Sequence, residues 1–217
     1  QKQTGPNITM ADLARAFLRQ DPDVILVGEI RDIETADVAI RAAATGHVVL
    51  STLHTADSLG AIHRLRGLSL ESDQIAESLL GVVAQRLIRR ICPECVTDAE
   101  ITPTHQKRLG VMLQGISPKK GAGCRACSFS GYRGRIGIFE LLVIDVDLQD
   151  EIAEGMHIHD LRERLAGSGF YSLVDDALDK VRQGVSTLDE MLRVLPYRYL
   201  KSAVDRAEAS SSAPPDR

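Results

Sequence analysis

The sequence predicts an α/β protein in which a small metal-organised module separates an N-terminal strand-and-helix region from a helical C-terminal region. Three observations support this fold class. Two short apolar runs flank a helix-forming segment near the N-terminus, four cysteines form two C-x-x-C pairs, and helical segments follow one another after residue 146. Alternating strands and helices are typical of parallel sheets, and paired C-x-x-C motifs are typical of structural metal sites.

Composition restricts the class of protein. A chain of 217 residues with 44% hydrophobic content can bury one large core or two small ones. Its formal net charge of −4 argues against a protein whose main role is to coat nucleic acid. No stretch approaches the roughly 20 apolar residues of a membrane span, and the polar run Gln1–Met10 lacks the apolar core of a signal peptide. We therefore expect a globular protein of the cytoplasm that reaches membranes only through partners.

The N-terminal region predicts a β-α-β crossover. The apolar runs Asp23–Ile30 and His47–Leu53 suit short strands buried on both faces. Between them, Asp32 can cap a helix that ends before Gly46. The strands of such a crossover are parallel neighbours, so their carboxyl ends should share one edge of the sheet.

Two further helices are predicted before the cysteines. A short one should run from Ser58 to Gly67, and Ser72 should cap a longer one. The longer segment has apolar residues at helical spacing and arginines in its last turn, where they favour the helix dipole. The apolar residues are Ile75, Leu79, Val82, Val83 and Leu87, and the arginines are Arg86, Arg89 and Arg90. A boundary near Ile91 should end the first domain, residues 1–91.

The four cysteines predict one metal site. Cys92 and Cys95 form the first pair and Cys124 and Cys127 the second, with 28 residues between the pairs. Each C-x-x-C turn can offer two thiolates to a tetrahedral zinc ion. A redox-active pair or two disulfides are the alternatives, but disulfides need an oxidising compartment. We expect a structural zinc within a module of residues 92–134, which is rich in cysteine, glycine and basic residues.

The C-terminal region, residues 135–200, predicts a strand followed by helices. The run Arg135–Ile144 suits a strand that returns to a sheet. Helices should follow at residues 147–154, 159–166, 172–183 and 187–195, the last of them opened by a capping box from Thr187 to Glu190. The tail, residues 201–217, should be disordered, because from Ala207 onward it is small, polar and proline-bearing.

Two candidate catalytic side chains lie where the predicted parallel strands end, at Glu29 and His54. Ligands of open parallel sheets gather beyond this edge. A carboxylate there can orient an attacking water and an imidazole can contact phosphate, although a salt-bridged glutamate and a loop histidine are the plain alternatives. His47 precedes His54 by seven residues, so a straight strand would hold the two roughly 20 Å apart.

Two arginines near the N-terminus form a further candidate. Arg15 and Arg19 stand four residues apart on a predicted helix, which places both on one face. A solvated helix surface would explain the pair equally well. Arg31 with Glu34 can likewise be a simple ion pair at the start of a helix.

Four runs of sequence resemble, in order, the signatures of the type II secretion and type IV pilus assembly ATPases. They are LRQDPDVILVGEIRDIE (18–34), TGHVVLSTLHT (45–55), AQRLIRRICPEC (84–95) and GCRACSFSGYRGRIGIFEL (123–141). In that family VGEI is the Walker B strand, TGHVVLSTLHT is the histidine box, and the paired C-x-x-C motif is the metal-binding module. The resemblance implies catalytic roles for Glu29, His54 and His47, and contacts of Arg15 and Arg19 with nucleotide or a neighbouring subunit.

The same resemblance implies part of a RecA-like P-loop NTPase core. It implies a cytoplasmic homohexamer that hydrolyses Mg-ATP and acts on inner-membrane platform proteins of a secretion or pilus machine, with no membrane span of its own and no nucleic acid. The four-cysteine module favours the secretion and assembly branch over the retraction branch.

Two features depart from the usual P-loop pattern. No G-x-x-x-x-G-K-[ST] loop occurs in the sequence, and the glycine-rich run 115–123 lacks its ending and context. The resemblance therefore implies the carboxyl-terminal portion of a longer ATPase that is inactive alone. Gly28 stands where many P-loop enzymes have a magnesium-binding aspartate, which leaves the magnesium ligand unassigned.

Other function classes stay open at this point. A non-catalytic, zinc-scaffolded interaction module is one, and a DNA-transfer ATPase relative is another. A nucleic-acid-binding zinc ribbon would be supported by Arg125, Arg133 and Arg135, but the acidic balance and the scarcity of aromatic residues argue against it.

Overall fold

A computed structural model describes residues 9–212, with side chains through residue 208. The predictions for residues 1–8 and 213–217 lie outside the described residues. In chain order the elements are α1 (Met10–Leu18), β1 (Val24–Val27), α2 (Ile33–Ala44), β2 (Val48–Ser51), α3 (Ser58–Gly67), α4 (Ser72–Ser78), β3 (Gly81–Ile91), β4 (Val96–Asp98), α5 (Pro103–Leu109), β5 (Lys119–Gly121), β6 (Tyr132–Val143), α6 (Val146–Ala153), α7 (Ile158–Gly167), α8 (Leu173–Arg182), α9 (Leu188–Val194) and α10 (Tyr197–Ser212). The chain divides into two compact units, residues 1–82 with 142–165 and residues 83–141 with 166–217.

The predicted β-α-β crossover is present in the first unit. β1 and β2 pair in parallel, with Val24 opposite Val48. The carboxylate of Asp32 caps α2 by accepting the backbone N–H of Thr35 at 2.8 Å. Gly46 follows the helix with a φ of +97°, a conformation that a side chain would strain. The carboxyl ends of both strands therefore share one edge of the sheet.

The expectation that these strands are buried on both faces is wrong for the described chain. Burial alternates along β1, where Ile25 and Val27 are buried while Val24 and Leu26 are 56% and 74% exposed. Ile25 and Val27 pack with Ala42 of α2. Helices thus cover one face of the strand pair, and the alternation of strand side chains leaves the other face open.

The long helix predicted from Ser72 is also wrong. Helix α4 ends at Ser78, and the chain continues as strand β3, which is a neighbour of β6 in a two-stranded sheet. A Cβ on Gly81 would lie 2.9 Å from the carbonyl oxygen of Leu142, so this glycine permits close approach of the two backbones. β-Branched residues such as Val82, Val83 and Ile88 favour the strand, although Val82, Val83 and Leu87 also fit the period of a helix. The cysteine module therefore follows a strand.

The second unit contains the cysteine module and the last helices. β4 and β5 pair in antiparallel fashion. The predicted return strand is present as β6, and the helices predicted after it correspond to α6, α7, α8 and α9. The predicted capping box is half formed: the hydroxyl of Thr187 accepts the N–H of Glu190 at 3.0 Å, but the carboxylate of Glu190 bonds to arginines instead.

The disorder expected after residue 200 is wrong for residues 201–212. These residues continue helix α10 to Ser212, and the first turns of this helix bury apolar side chains. Leu200 and Ala203 lie in the core, and the guanidinium of Arg206 donates to the carbonyl of Phe170 at 3.1 Å. Among the helices of the described residues, none has the length and apolar character needed to cross a bilayer.

Candidate catalytic edge and metal centre

Glu29 and His54 meet at the carboxyl edge of the parallel strand pair. Nε2 of His54 lies 3.1 Å from Oε2 of Glu29. The backbone holds this arrangement, because the N–H of Ile30 donates to the carbonyl of Thr52 at 3.1 Å and the Thr52 hydroxyl donates to the carbonyl of Gly28 at 2.7 Å. The Glu29 and His54 side chains are 30% and 83% exposed, so the edge is open to solvent.

Arg31 is a third member of this edge, although the sequence also allowed an ion pair between Arg31 and Glu34. Its Nε lies 2.7 Å from Oε2 of Glu29, in place of the expected pair with Glu34. The hydrogen bond from Arg31 lowers the pKa of Glu29, desolvation opposes it, and His54 adds a smaller lowering effect. Side chains two residues apart on extended backbone share a side, which could have indicated this contact. Glu29 is therefore a carboxylate with a positive group held against it.

His47 lies at the other end of β2. Its Nδ1 is 3.0 Å from the carbonyl oxygen of Ala42 and 3.1 Å from the hydroxyl of Thr45, both at the end of α2. The structure therefore does not bring His47 to His54, as the length of an extended strand requires. In this position His47 connects α2 to the start of β2.

Arg15 and Arg19 lie at the end of α1, before β1 begins. Nη1 of Arg15 is 3.4 Å from the carboxylate of Asp12 within the same helix, and both side chains of this pair are about half exposed. Arg19 is the C-cap residue of α1 and is exposed. Because Glu29 follows β1, the two arginines and Glu29 lie toward opposite ends of that strand.

The four cysteines form a single cluster with the geometry of a tetrahedral site. Sγ of Cys92 is 3.9 Å from that of Cys124, Sγ of Cys95 is 3.9 Å from that of Cys127, and Cys124 and Cys127 are 3.8 Å apart. Zinc–sulfur distances of about 2.3 Å place neighbouring sulfurs about 3.8 Å apart in a tetrahedron. All four are free thiols, which removes the disulfide alternative. The donor set therefore fits zinc.

Backbone contacts between the two cysteine turns form this cluster. The N–H of Cys92 donates to the carbonyl of Gly131 at 2.9 Å, and the N–H of Gly123 donates to Sγ of Cys95 at 3.3 Å. A Cβ on Gly121 would lie 2.0 Å from the carbonyl oxygen of Gly131, so the strands of the module approach here because no side chain intervenes. Glycine at positions 121 and 131 thus permits the two backbones to pack closely.

The protonation of the thiols differs across the cluster. A backbone hydrogen bond from Cys124 lowers the pKa of Cys127 to about 6, with burial acting in the opposite direction. Burial raises the pKa of Cys92, and it raises the pKa of Cys95 to about 12. Ligation of a metal requires thiolates, so metal binding would release protons from this cluster.

A buried glutamate, Glu190, which the sequence suggested only as part of a capping box, connects β3 to α9. Glu190 is fully buried and accepts the backbone N–H and the Nε of Arg89 at 2.9 and 2.8 Å. Arg193 bonds to the same carboxylate at 2.6 and 2.8 Å. Burial raises the pKa of Glu190, but the bonds from Arg193 and Arg89 outweigh it and lower the value to about 2. Arg89 also lies 4.0 Å from the ring centroid of Tyr132.

The solved structures that this chain resembles are ATPases of the RecA-like P-loop class. A pilus retraction motor, PilT with bound ADP, aligns with a TM-score of 0.61 and 26% identity, over 87% of this chain and 44% of that chain. The ATPase DotB of Legionella pneumophila aligns with a TM-score of 0.60 and 24% identity, over 90% of this chain and 42% of that chain, which is a likeness of fold. The parallel strand edge described above therefore belongs to an α/β ATPase fold.

Sequence comparison identifies the family. The profile of the type II/IV secretion system proteins matches residues 2–193. The chain is 44% identical over 197 residues to the type IV pilus assembly ATPase PilB of Thermus thermophilus, and 44% identical over 197 residues to the type II secretion system ATPase E of Vibrio cholerae. The chain belongs to the type II/IV secretion system protein family. The two alignments cover 88% and 89% of this chain, but only 22% and 39% of the lengths of the two relatives.

Proposed function

We propose that this chain forms part of an ATPase that powers type II protein secretion or type IV pilus assembly, and that Glu29 is its catalytic base. One observation carries the proposal: Glu29 and His54 are 3.1 Å apart at the carboxyl edge of two parallel strands. Ligands of α/β sheets bind at this edge, and a carboxylate there can orient the water that attacks the terminal phosphate. The names of the relatives agree with this activity.

The other candidate residues take supporting roles. His54 stabilises the side chain of Glu29 and contacts phosphate from the same edge. His47, at the far end of β2, acts on catalysis only through the position of that strand. Arg15 and Arg19 contact nucleotide or a neighbouring subunit, for which their exposure on α1 leaves them available. Magnesium, when bound with ATP, neutralises developing phosphate charge.

The cysteine cluster holds one structural zinc ion in this proposal. The sulfur distances and the all-thiolate donor set support zinc over metals that prefer oxygen ligands. The functional division then follows the sequence: a motor-core portion at residues 1–91, a zinc module at 92–134 and a C-terminal region at 135–200. The zinc fixes the turns at both ends of the module.

The chain works as part of a larger assembly in this proposal. The 217 residues contain no G-x-x-x-x-G-K-[ST] loop, so the phosphate-binding loop must come from outside them and the chain alone is inactive. The motor acts as a cytoplasmic homohexamer at the inner membrane and moves platform proteins of a secretion or pilus machine. A closed ring lets arginines of one subunit reach the nucleotide of the next.

The test is Glu29→Gln in a protein in which a Walker A half precedes these residues. Glutamine keeps the size of the side chain but removes the negative charge, so steady-state hydrolysis should fall about 100-fold or more while nucleotide binding persists. Glu34→Gln, an exposed glutamate on the neighbouring helix, is the matched control and should hydrolyse ATP at the parent rate. Equal rates for the Glu29 variant and the parent would refute the assignment.

A further inference from the structure

A cleft of about 430 Å³ lies in the second unit, beside the first cysteine turn. It is lined by the end of β3, the first cysteine turn, the start of β6 and the loop after α8. The side chains that matter here are the two cations Arg90 and Arg133 and the apolar residues Ile91, Pro93, Val96 and Val185.

Hydrogen bonds fix the walls of this cleft. The N–H of Ile91 donates to the carbonyl of Val185 at 2.9 Å, and the hydroxyl of Ser186 donates to the carbonyl of Arg89 at 2.8 Å. Arg89 is itself held by the buried carboxylate of Glu190. The loop after α8 is therefore attached to β3 at two points.

The charges of the cleft are not compensated within the described part of the chain. Arg89 and Arg193 share the carboxylate of Glu190, whereas neither Arg90 nor Arg133 makes an ion pair or side-chain hydrogen bond among the described residues. Two arginines thus line a concave surface, and the other side chains that line it in the described part of the chain are apolar. A ligand that satisfies them must carry negative charge.

We propose that this cleft binds an acidic peptide segment of a partner protein. Its carboxylate would be held by Arg90 and Arg133, because the planar guanidinium fork matches carboxylate geometry. An adjacent aliphatic side chain would pack on Ile91 and Val185. This inference goes beyond the ATPase proposal and does not depend on it.

The lining distinguishes a peptide from nucleic acid. None of the described residues that line the cleft is aromatic, although single-stranded nucleic acid is usually held by stacking on aromatic residues. The net charge of −4 also disfavours a polyanion that extends beyond the cleft, whereas a short acidic segment needs only the two local cations. Shape, apolar lining and paired cations together favour the peptide.

The experiment uses the zinc-loaded chain and a dye-labelled nonapeptide of alternating glutamate and leucine, observed by fluorescence anisotropy. Binding should be lost when glutamine replaces every glutamate of the probe. Charge-assisted hydrogen bonds are worth enough that the double variant Arg90→Gln, Arg133→Gln should weaken binding about tenfold or more. Arg135→Gln, an exposed arginine on β6 outside the cleft, is the matched control and should bind within about twofold of the parent. Zinc content and circular dichroism confirm that all variants fold.

Three results would overturn the proposal. The first is the absence of any difference between the glutamate and glutamine probes. The second is an equal loss of binding in the Arg135→Gln control, since it would mean that only overall charge matters. The third is a labelled single-stranded oligonucleotide of the same charge that binds more tightly than the peptide and depends on Arg90 and Arg133, which would assign the cleft to nucleic acid.

Discussion

The two histidines of the histidine box differ in what surrounds them. His54 touches Glu29 at the carboxyl edge of the strand pair, whereas His47 bonds to the end of α2. In a Walker A-containing protein, His54→Ala should lower kcat about tenfold or more, because it removes the polar contact to Glu29 and the proposed contact with phosphate. His47→Ala should leave kcat nearly unchanged and instead lower the free energy of unfolding by about 1 kcal/mol, through the lost hydrogen bond.

Steady-state kinetics at saturating ATP and urea unfolding separate these two effects. Thr45→Ser, which keeps the hydroxyl beside His47, serves as a control for disturbance of the α2 end. A larger loss of kcat for His47→Ala than for His54→Ala would mean that the strand geometry behind the assignment is wrong.

Glu190 offers a second test at the scale of one residue. Its pKa is lowered to about 2 in the folded protein, below its ordinary value of 4.5, so the carboxylate stabilises the fold above about pH 5 and loses this effect as the pH falls toward 2. Glu190→Gln should reduce the free energy of unfolding by about 1–3 kcal/mol at pH 7, because charged hydrogen bonds to Arg89 and Arg193 are lost.

Urea unfolding of the parent and of Glu190→Gln, compared at each pH between pH 7 and pH 3, measures this contribution. The difference between the two proteins should shrink as the pH falls below about 4.5, since the carboxylate of the unfolded parent chain then takes up a proton while the folded one stays charged. Glu100→Gln, an exposed glutamate of the same unit, should show no such difference at any pH. A gap that stays constant across this range would contradict the proposed charge effect.

Among the elements, those that local signals define were predictable and those that tertiary pairing decides were not. Asp32 and Gly46 mark the two ends of α2, so both boundaries could be read from the sequence. Strand β3 was missed because Val82, Val83 and Leu87 fit a helical period as well as a strand, and only pairing with β6 decides between them. The contact of Arg31 with Glu29 was missed because the helix-start pairing with Glu34 looked equally local.

The cysteine module is the element whose stability should depend most on metal. Parent chain prepared under reducing conditions without chelator should contain about one zinc per chain by elemental analysis, and Cys124→Ser should contain much less, because three thiolates leave a tetrahedral site open. Hydrogen exchange should then rise first in β4 and β5, whose short pairing has little apolar support. Ser117→Ala, an exposed serine in the same module, should keep its zinc. A parent stoichiometry near zero would refute the metal site.

A substitution at Gly121 tests whether the cysteine module depends on the close approach of its backbones. Gly121→Ala would place a methyl group where a Cβ meets the carbonyl oxygen of Gly131 at 2.0 Å, so the two backbones must separate. We expect a loss of about 1–3 kcal/mol in unfolding free energy and weaker zinc retention against a competing chelator. Gly67→Ala, where nothing lies within 4 Å of the added carbon, is the control. Unchanged zinc retention in Gly121→Ala would show that the module tolerates a wider separation.

For the whole molecule, one face of the strand pair β1 and β2 is open in the described chain. Leu26 and Val24 of β1 and Leu50 of β2 are each more than half exposed, although parallel strands are usually covered on both sides. Glu29 and His54 lie at the edge of the same strand pair. A nucleotide site proposed at this edge is incomplete in this sequence, because no G-x-x-x-x-G-K-[ST] loop accompanies these residues.

The final prediction follows from that incompleteness: the isolated chain should bind Mg-ATP weakly or not at all. In P-loop enzymes the Walker A backbone and lysine make most of the phosphate contacts, and this sequence contains no such loop. Glu29 itself repels phosphate, and Arg31 beside it is already paired with that carboxylate. Isothermal titration calorimetry of the chain should show no dissociation constant in the micromolar range, whereas a protein with the Walker A half should bind ATP and keep binding it after Glu29→Gln. Micromolar binding by the isolated chain would mean that the nucleotide site lies elsewhere in these 217 residues.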